Sequence, residues 1–508
     1  LVETLAKPGK KARARGAARR LGSPAWIVGV GVGLAALFLY LLTLAPTVLY
    51  YTDEMKDSAV LPSIAYVLGI SHPTGYPTYT ILTHLFTYLP VGEVAYRVNL
   101  ASAVFGALAV AGLYAVGLRL GGSVVAAAFG ALAFGTSPLF WSQAVIAEVY
   151  TLHVLFLALA FVVLLMWREK REDGYLLLAA VVLGLSMTHH LTSGLLLPTA
   201  AAFVLLVEPR KILDWKIIVK GVALFLVALV PYAYLPLRAR MNPPMNVEDP
   251  SNWERFKDLL TGGEFKDKMW VFGPEELPGR LQMYLDHLSG QLPLAVVAAA
   301  LVGVAYTLLR DRAAFVLLAL PYGGFLFYAL EYDIEDVHYY FIPTYAILAV
   351  WASVGLAAAL RGAGRLSGGS RRVQTATVVA LSALALVLAL RGLPQTYSAV
   401  DMSEDYEGRR ILEAVATRTA PNSIVIQHRG PLSYMQLVEG RRTDIQVWNF
   451  VQPNGEEEGA EAAAAIREGR FYILYPNEGK TRQFEDGGYE LEPVEGKMLY
   501  RVVPGEGA

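Results

Sequence analysis

The sequence predicts a polytopic α-helical membrane protein of about 11 transmembrane helices, ending in a small α/β domain. Three observations predict it. Of the 508 residues, 55% are hydrophobic and only 17% charged, with a mean hydropathy of +0.42; a water-soluble chain of this length carries more charge. Apolar runs of roughly 17–25 residues recur along the first three quarters, each long enough for a hydrocarbon core of ~30 Å. Beyond residue 394 the charge rises and short helical and strand-like patterns alternate. There is no cysteine, which excludes disulfides, thiolate metal sites and a cysteine nucleophile.

The chain begins with a basic stretch, in which Lys7, Lys10, Lys11, Arg13, Arg15, Arg19 and Arg20 face a single acid, Glu3. The apolar run after it is longer than that of a cleavable signal peptide. It reads as a retained anchor behind a cytoplasmic tail, 1–25. Basic loops mark the cytoplasmic side, here the tail and 168–171, 210–216, 310–312 and 361–372. Parity then threads the spans at 26–45, 94–118, 122–139, 146–167, 175–188, 191–207, 217–236, 292–309, 313–330, 338–360 and 373–391. Every basic loop falls inside, provided that 76–89 does not cross. That segment is about 14 residues long and holds His84, so it is expected to be interfacial or re-entrant.

The membrane domain is therefore 26–393, with a first outer loop at 46–93 and a long outer loop at 238–291. The remainder, 394–508, is an extracytoplasmic α/β domain with a helix near 405–416, strands at 423–427 and 444–448, a helix at 459–468 and a strand at 471–475. Alternating helix and strand suggest two or three layers.

This threading gathers the polar clusters on the outer side. Asp57 and His72 fall in the first outer loop, and ionisable groups beside a bilayer usually have a function. Asp57 can act as a general base towards a hydroxyl or amide acceptor, or belong to a solvated acidic loop with Asp53 and Glu54. The run 71–77 holds His72, Pro73, Gly75, Tyr76 and Pro77, a fixed turn whatever else it does. Gln143, Glu148 and Tyr150 lie where the third and fourth spans meet. An interfacial glutamate there can bind a substrate hydroxyl or pair with an arginine. His189 and His190 occupy a turn between spans; neighbours on a helix point about 100° apart, so each suits a hydrogen bond to phosphate or backbone better than one shared metal. Arg238 at the mouth of the seventh span suits a lipid-linked phosphate, or snorkels to a headgroup. Asp333 and Asp336 belong to an acidic run, 331–336, which reads first as a hydrated loop cap and second as a place for Mg²⁺ or Mn²⁺. No metal ligand set is assigned, and no nucleic-acid partner is expected.

Taken together, these segments resemble a family of multi-pass proteins placed among the GT-C-type glycosyltransferases, which includes an animal protein O-mannosyltransferase. The family pattern D-S-G-E-(x)8-G-(x)2-H-P-P-G-Y-P stands here as Asp57-Ser58-Ala59-Val60, then Gly69 and His72-Pro73-Thr74-Gly75-Tyr76-Pro77. Similar segments are 89–108, 140–153, 188–192, 236–239 and 332–343, so the likeness covers roughly 40–345. The resemblance implies transfer of a sugar from a polyprenyl-phosphate donor to a protein or glycan acceptor, at an acidic residue of the first outer loop, with inversion of the anomeric centre. It also implies a place in the cell membrane with the active site outside the cytoplasm. The family glutamate is Val60 here, so Asp57 acts alone or with Asp53 or Glu54. Two other readings stand beside this one: a transporter or flippase of lipid-linked intermediates, and a non-catalytic scaffold or sensor.

Overall fold

The computed structural model describes residues 23–50, 57–367, 370–427, 430–449, 456–476 and 478–505. The basic tail, and Asp53 and Glu54, lie outside these residues.

The membrane part runs α1 (Ser23–Leu42), α2 (Leu61–Val67), α3 (Pro77–Phe86), α4 (Val94–Gly121), α5 (Val124–Gly135), α6 (Pro138–Ala144), α7 (Tyr150–Lys170), α8 (Asp173–Met187), α9 (Leu196–Val207), α10 (Trp215–Ala228), α11 (Tyr234–Ala239), α12 (Trp253–Leu260), α13 (Leu277–Gln291), α14 (Leu294–Arg310), α15 (Arg312–Leu330), α16 (Ile342–Leu366), α17 (Arg371–Leu390) and α18 (Leu393–Val400). Seven spans among the described residues are long and apolar enough to cross a membrane. Two pairs qualify jointly but are bent, α5–α6 by 71° and α13–α14 by 115°, which brings the number to nine. The shorter apolar segments Asp173–Met187 and Leu191–Val207 occupy the fifth and sixth expected positions, so about 11 is reached only with both of them. As expected, α3 is too short to cross, at 10 residues.

One boundary differs. The fourth span was expected from residue 146, but α7 begins at Tyr150 and 145–149 is non-helical. The bend between α5 and α6 falls just before Pro138, whose ring favours the first turn of a new helix. Glu148 thus belongs to a connection, not to a helix.

The spans α7 and α16 are mostly buried, whereas 215–239 and 371–400 lie at the periphery with few buried residues. In lipid, close backbone approach replaces hydrophobic burial as the source of cohesion. The crossing of α14 and α16 shows it: a Cβ on Gly303 would fall 1.9 Å from the Trp351 carbonyl oxygen, and one on Gly355 would fall 1.8 Å from that of Ala299.

The basic loops are drawn together at one end. Arg168 pairs with Asp311 at 2.8 Å, Arg171 with Glu208 at 3.0 Å, Lys211 with Asp173 at 2.7 Å, and Arg119 with Glu169. Tyr150 and Lys170 stand at opposite ends of the 21-residue α7, separated by about 30 Å at 1.5 Å per residue.

The C-terminal part contains α19 (Glu407–Arg418), β1 (Ile424–Gln427), α20 (Leu432–Leu437), β2 (Gln446–Asn449), α21 (Glu456–Arg467), β3 (Phe471–Leu474), α22 (Glu478–Asp486), β4 (Tyr489–Glu495) and β5 (Leu499–Pro504). The sheet order is β2-β1-β3-β5-β4, with β2, β1 and β3 parallel and the β4–β5 hairpin antiparallel. Strand residues alternate between two cores. Ile424, Ile426 and Ile473 pack with Ala465 and Ile466 of α21, while Val425 and Leu474 pack with Ile411 of α19 and Leu432 of α20. The domain is therefore three-layered. The sequence reading missed the β4–β5 hairpin.

Candidate active site

The first loop turns back over the membrane helices and brings Asp57 to His72. His72 Nε2 stands 3.4 Å from Asp57 Oδ2, and its Nδ1 lies 3.1 Å from Ser71 Oγ. Both ring nitrogens are thus engaged, which fixes the imidazole plane. Asp57 is itself held by the turn it opens, its carbonyl accepting from the amides of Val60 and Leu61 at 3.0 and 2.9 Å. Tyr76 closes the second turn in a left-handed conformation, φ 42° and ψ 48°. That costs a residue with a Cβ about 1–2 kcal/mol. The cost is offset by burial and by a bond from the hydroxyl to the Pro73 carbonyl at 3.2 Å. Tyr76 then leads into α3 through Pro77.

Behind this turn lies a layer of histidines and tyrosines. The Tyr76 ring is 5.3 Å from His72, 6.4 Å from His189 and 6.1 Å from His190. His189 Nε2 reaches the Val149 carbonyl at 2.9 Å, and His190 Nδ1 the Thr192 hydroxyl at 2.8 Å. Both rings lie between spans. Burial pushes His189 down to about 3 and His190 down to about 4, so both are neutral. Tyr150 stands 6.2 Å from His190 and 5.2 Å from Tyr339.

Glu148 sits in the connection before α7, buried, with its amide donating to Ser102 Oγ at 3.1 Å. Burial, then the charge of Asp57, hold its carboxyl well above the usual carboxylate range, and Asp336 adds to the effect. Glu148 thus lies within electrostatic reach of both Asp57 and Asp336. Val60, at the position of the family glutamate, packs against the hydrophobic core instead. Among the described residues, a carboxylate that feels Asp57 is Glu148, brought from a different part of the chain.

Three expected residues have other surroundings. Arg238 is turned towards α2, with Nε donating to the Leu68 carbonyl and Nη2 to that of Val67, both at 2.8 Å. Its fork satisfies the carbonyls at the end of a short helix, so it does not present a bidentate face to a phosphate. Asp333 is exposed on the rim beside Arg280, and its amide bonds to the Lys268 carbonyl at 2.9 Å. Gln143 is buried on α6 with Oε1 unpaired among the described residues. The sequence reading did not single out His153, which stacks on His190 at 4.5 Å. It stands three residues beyond Tyr150, hence on the same helix face, and that spacing was a usable signal. Tyr79, stacked on His189 at 6.2 Å, and Tyr340, 5.8 Å from His190, were missed as well.

The long outer loop packs onto the site's rim. Ile70 donates to the Met245 carbonyl at 2.8 Å, and Met269 bridges to Tyr332. Among the described residues no three His, Asp or Glu side chains are grouped so as to hold a metal ion. The acidic run 331–336 splits instead, with Asp336 facing the site and Asp333 the rim.

Comparison with known structures decides the fold. ArnT from Cupriavidus metallidurans bound to undecaprenyl phosphate matches with a TM-score of 0.64 at 13% identity, covering 95% of this chain and 98% of that one. The fold is that of the GT-C membrane glycosyltransferases. The oligosaccharyltransferase of Archaeoglobus fulgidus, in complex with zinc and sulfate, shares this GT-C architecture with a TM-score of 0.55 at 14% identity, over 94% of this chain and 73% of that one. Residues 57–213 match the family described as the protein O-mannosyl-transferase TMEM260 N-terminal domain. That match starts at Asp57 and is narrower than the likeness expected over 40–345. It includes all the proposed GT-C site residues except Arg238, Asp333 and Asp336. The mouse protein O-mannosyl-transferase TMEM260 is 32% identical over 232 residues, covering 44% of this chain and 33% of that protein. The Dictyostelium discoideum protein is 22% identical over 226 residues, covering 40% and 28%. The chain thus spans about a third of the length of these curated relatives.

Proposed function

We propose that the chain is a membrane glycosyltransferase moving a sugar from a polyprenyl-phosphate donor to an acceptor hydroxyl, with Asp57 as catalytic base. The observation that carries this reading is Asp57 held against His72 at 3.4 Å, at the end of the bundle opposite the basic loops. By the positive-inside rule that end lies outside the cytoplasm, and the C-terminal domain lies on the same side. The ArnT neighbour binds undecaprenyl phosphate, which supports a lipid-phosphate donor. The mouse relative is a protein O-mannosyl-transferase, which supports a protein hydroxyl as acceptor and mannose as the sugar.

In this reading the acceptor oxygen attacks the anomeric carbon as its proton passes to Asp57, and the bond from that carbon to the phosphate oxygen breaks. Back-side attack inverts the centre. Polyprenyl phosphate leaves. His72 orients Asp57. Glu148, whose burial favours its neutral form, donates a hydrogen bond to the sugar or acceptor, a division of roles between two carboxyl groups that follows from their surroundings. Neutral His189 and His190, with Tyr76 and Tyr150, line the sugar. Asp336 closes the far side and Asp333 the rim. Arg238 acts through helix α2, and its charge reaches the leaving phosphate only at a distance.

The test is incubation of the purified chain with a panel of polyprenyl-phosphate sugars and an acceptor peptide, read by mass spectrometry. Glycosylated peptide from one donor is expected, and Asp57→Asn should abolish it while leaving the thermal unfolding profile intact. Full activity in that variant removes Asp57 from the mechanism. A transporter is the weaker alternative, because the ionisable groups gather at one end of the bundle rather than at its middle.

A further inference from the structure

The C-terminal domain and the first loop share a hydrophobic core. Val48, at the loop's first root, and Ala95, at its second, are fully buried in the same cluster as Ile411, Leu412, Leu432 and Tyr434. The Ala95 amide donates to the Tyr434 hydroxyl at 3.1 Å, and the rings of Tyr50 and Tyr475 lie 4.7 Å apart. Helix α20 packs on α2, the helix that follows Asp57. An ionic node runs beside this core. Arg409 pairs with Glu93 and, at 2.6 Å, with Glu439, and Glu93 accepts a bond from Thr47 Oγ1 at 2.7 Å. One guanidinium thus ties α19 to both roots of the loop. Beside it, a Cβ on Gly408 would fall 2.1 Å from the Val48 carbonyl oxygen, a contact that only glycine permits.

We propose that the C-terminal α/β domain is a clamp on the first loop, and that Arg409 is a positioning residue which holds Asp57 to its partners through Glu93 and Thr47. The effect on rate rests on the reading of Asp57 as the base; the clamp itself rests on the contacts. Surface loops open at little cost, whereas a displacement of about 1 Å in a reacting group can cost about 10²-fold in rate. A loop that carries a base therefore gains from having both roots built into a folded domain. Gly408 allows the closest approach, and the Arg409 network sets the register.

Hydrogen exchange on the full chain in detergent tests the proposal, with Gly408→Ala, Glu93→Gln, Arg409→Gln, Arg409→Lys and the Glu93→Gln/Arg409→Gln pair. The first three should speed exchange in peptides covering 57–77 by about tenfold or more, while strands 424–427 and 471–474 stay protected. Arg409→Lys should restore part of the protection, and the pair should loosen the loop no more than its worse member. In transfer assays, kcat should fall about 10- to 100-fold with the KM for the donor within about twofold. Wild-type exchange at 57–77 in both Gly408→Ala and Glu93→Gln overturns the clamp. If Arg409→Gln unfolds the sheet, those two variants, which leave Arg409 in place, decide. A loosened loop with unchanged kcat overturns the positioning role. A loosened loop in a chain whose wild type transfers no sugar leaves the clamp standing and removes the glycosyltransferase reading instead.

Discussion

Asp57 and His72 are only fifteen positions apart in sequence, and both were legible there because ionisable groups beside a bilayer are rare. In the proposed mechanism their pairing at 3.4 Å gives His72 an orienting role. His72→Ala should lower kcat about 10- to 100-fold, less than Asp57→Asn, with donor KM little changed; steady-state kinetics with the active donor checks it. Glu148 was legible as an expensive carboxylate, but not as the partner of Asp57, since nothing in sequence spacing joins residues 57 and 148. His189 and His190 were legible as a pair, though their neutrality depends on burial. Their pKa values, about 3 and about 4, lie below the 6.5 of an unfolded histidine. The unfolded state therefore takes up protons first. The stability due to these neutral rings is complete above pH 6.5 and is lost as pH falls towards 4, by about 1.4 kcal/mol per pH unit for each ring. Unfolding temperature measured at pH 7.5, 6 and 5 should show this fall, and His189→Asn with His190→Asn should flatten it.

At the scale of elements, most helices stood where apolar runs were found, because length and hydropathy fix what can lie in lipid. The exceptions have local causes. Helix α7 starts late because 145–149 leaves the helix to carry Glu148 inward. The β4–β5 hairpin escaped notice because the alternation of β4, Tyr489 to Glu492, is short and is interrupted by Pro493. Arg238 illustrates a limit of motif reading. Its position at the mouth of a span suggested phosphate, yet its fork caps α2. Arg238→Ala should destabilise the protein by about 2 kcal/mol, the worth of charge-assisted bonds to part-buried carbonyls, with donor KM within about twofold. Arg238→Lys should recover less than half of the lost stability, because an ammonium cannot reproduce a planar fork. Thermal unfolding paired with donor titration separates the two roles; a tenfold rise in KM without destabilisation would return Arg238 to the donor site.

Across the whole molecule, the membrane bundle supplies the histidines and Glu148, while the C-terminal domain packs against the roots of the first loop. The change from a helical to an α/β pattern near residue 394 was legible from composition, but the core that the two parts share was not: Val48 and Ala95 are ordinary apolar residues that could have served the bundle alone. A chain ending at residue 400 uncovers both, and limited proteolysis should then cut within 46–93 faster than in the full chain. The crossing of Gly303 over Gly355 bears on how such proteins diverge. With backbone pressed on backbone, even a methyl group at either position meets a carbonyl oxygen at under 2 Å. Drift in this sequence can freely exchange one greasy residue for another along the lipid-facing perimeter, yet it is barred at these two points. A saturation library should record an empty column at each.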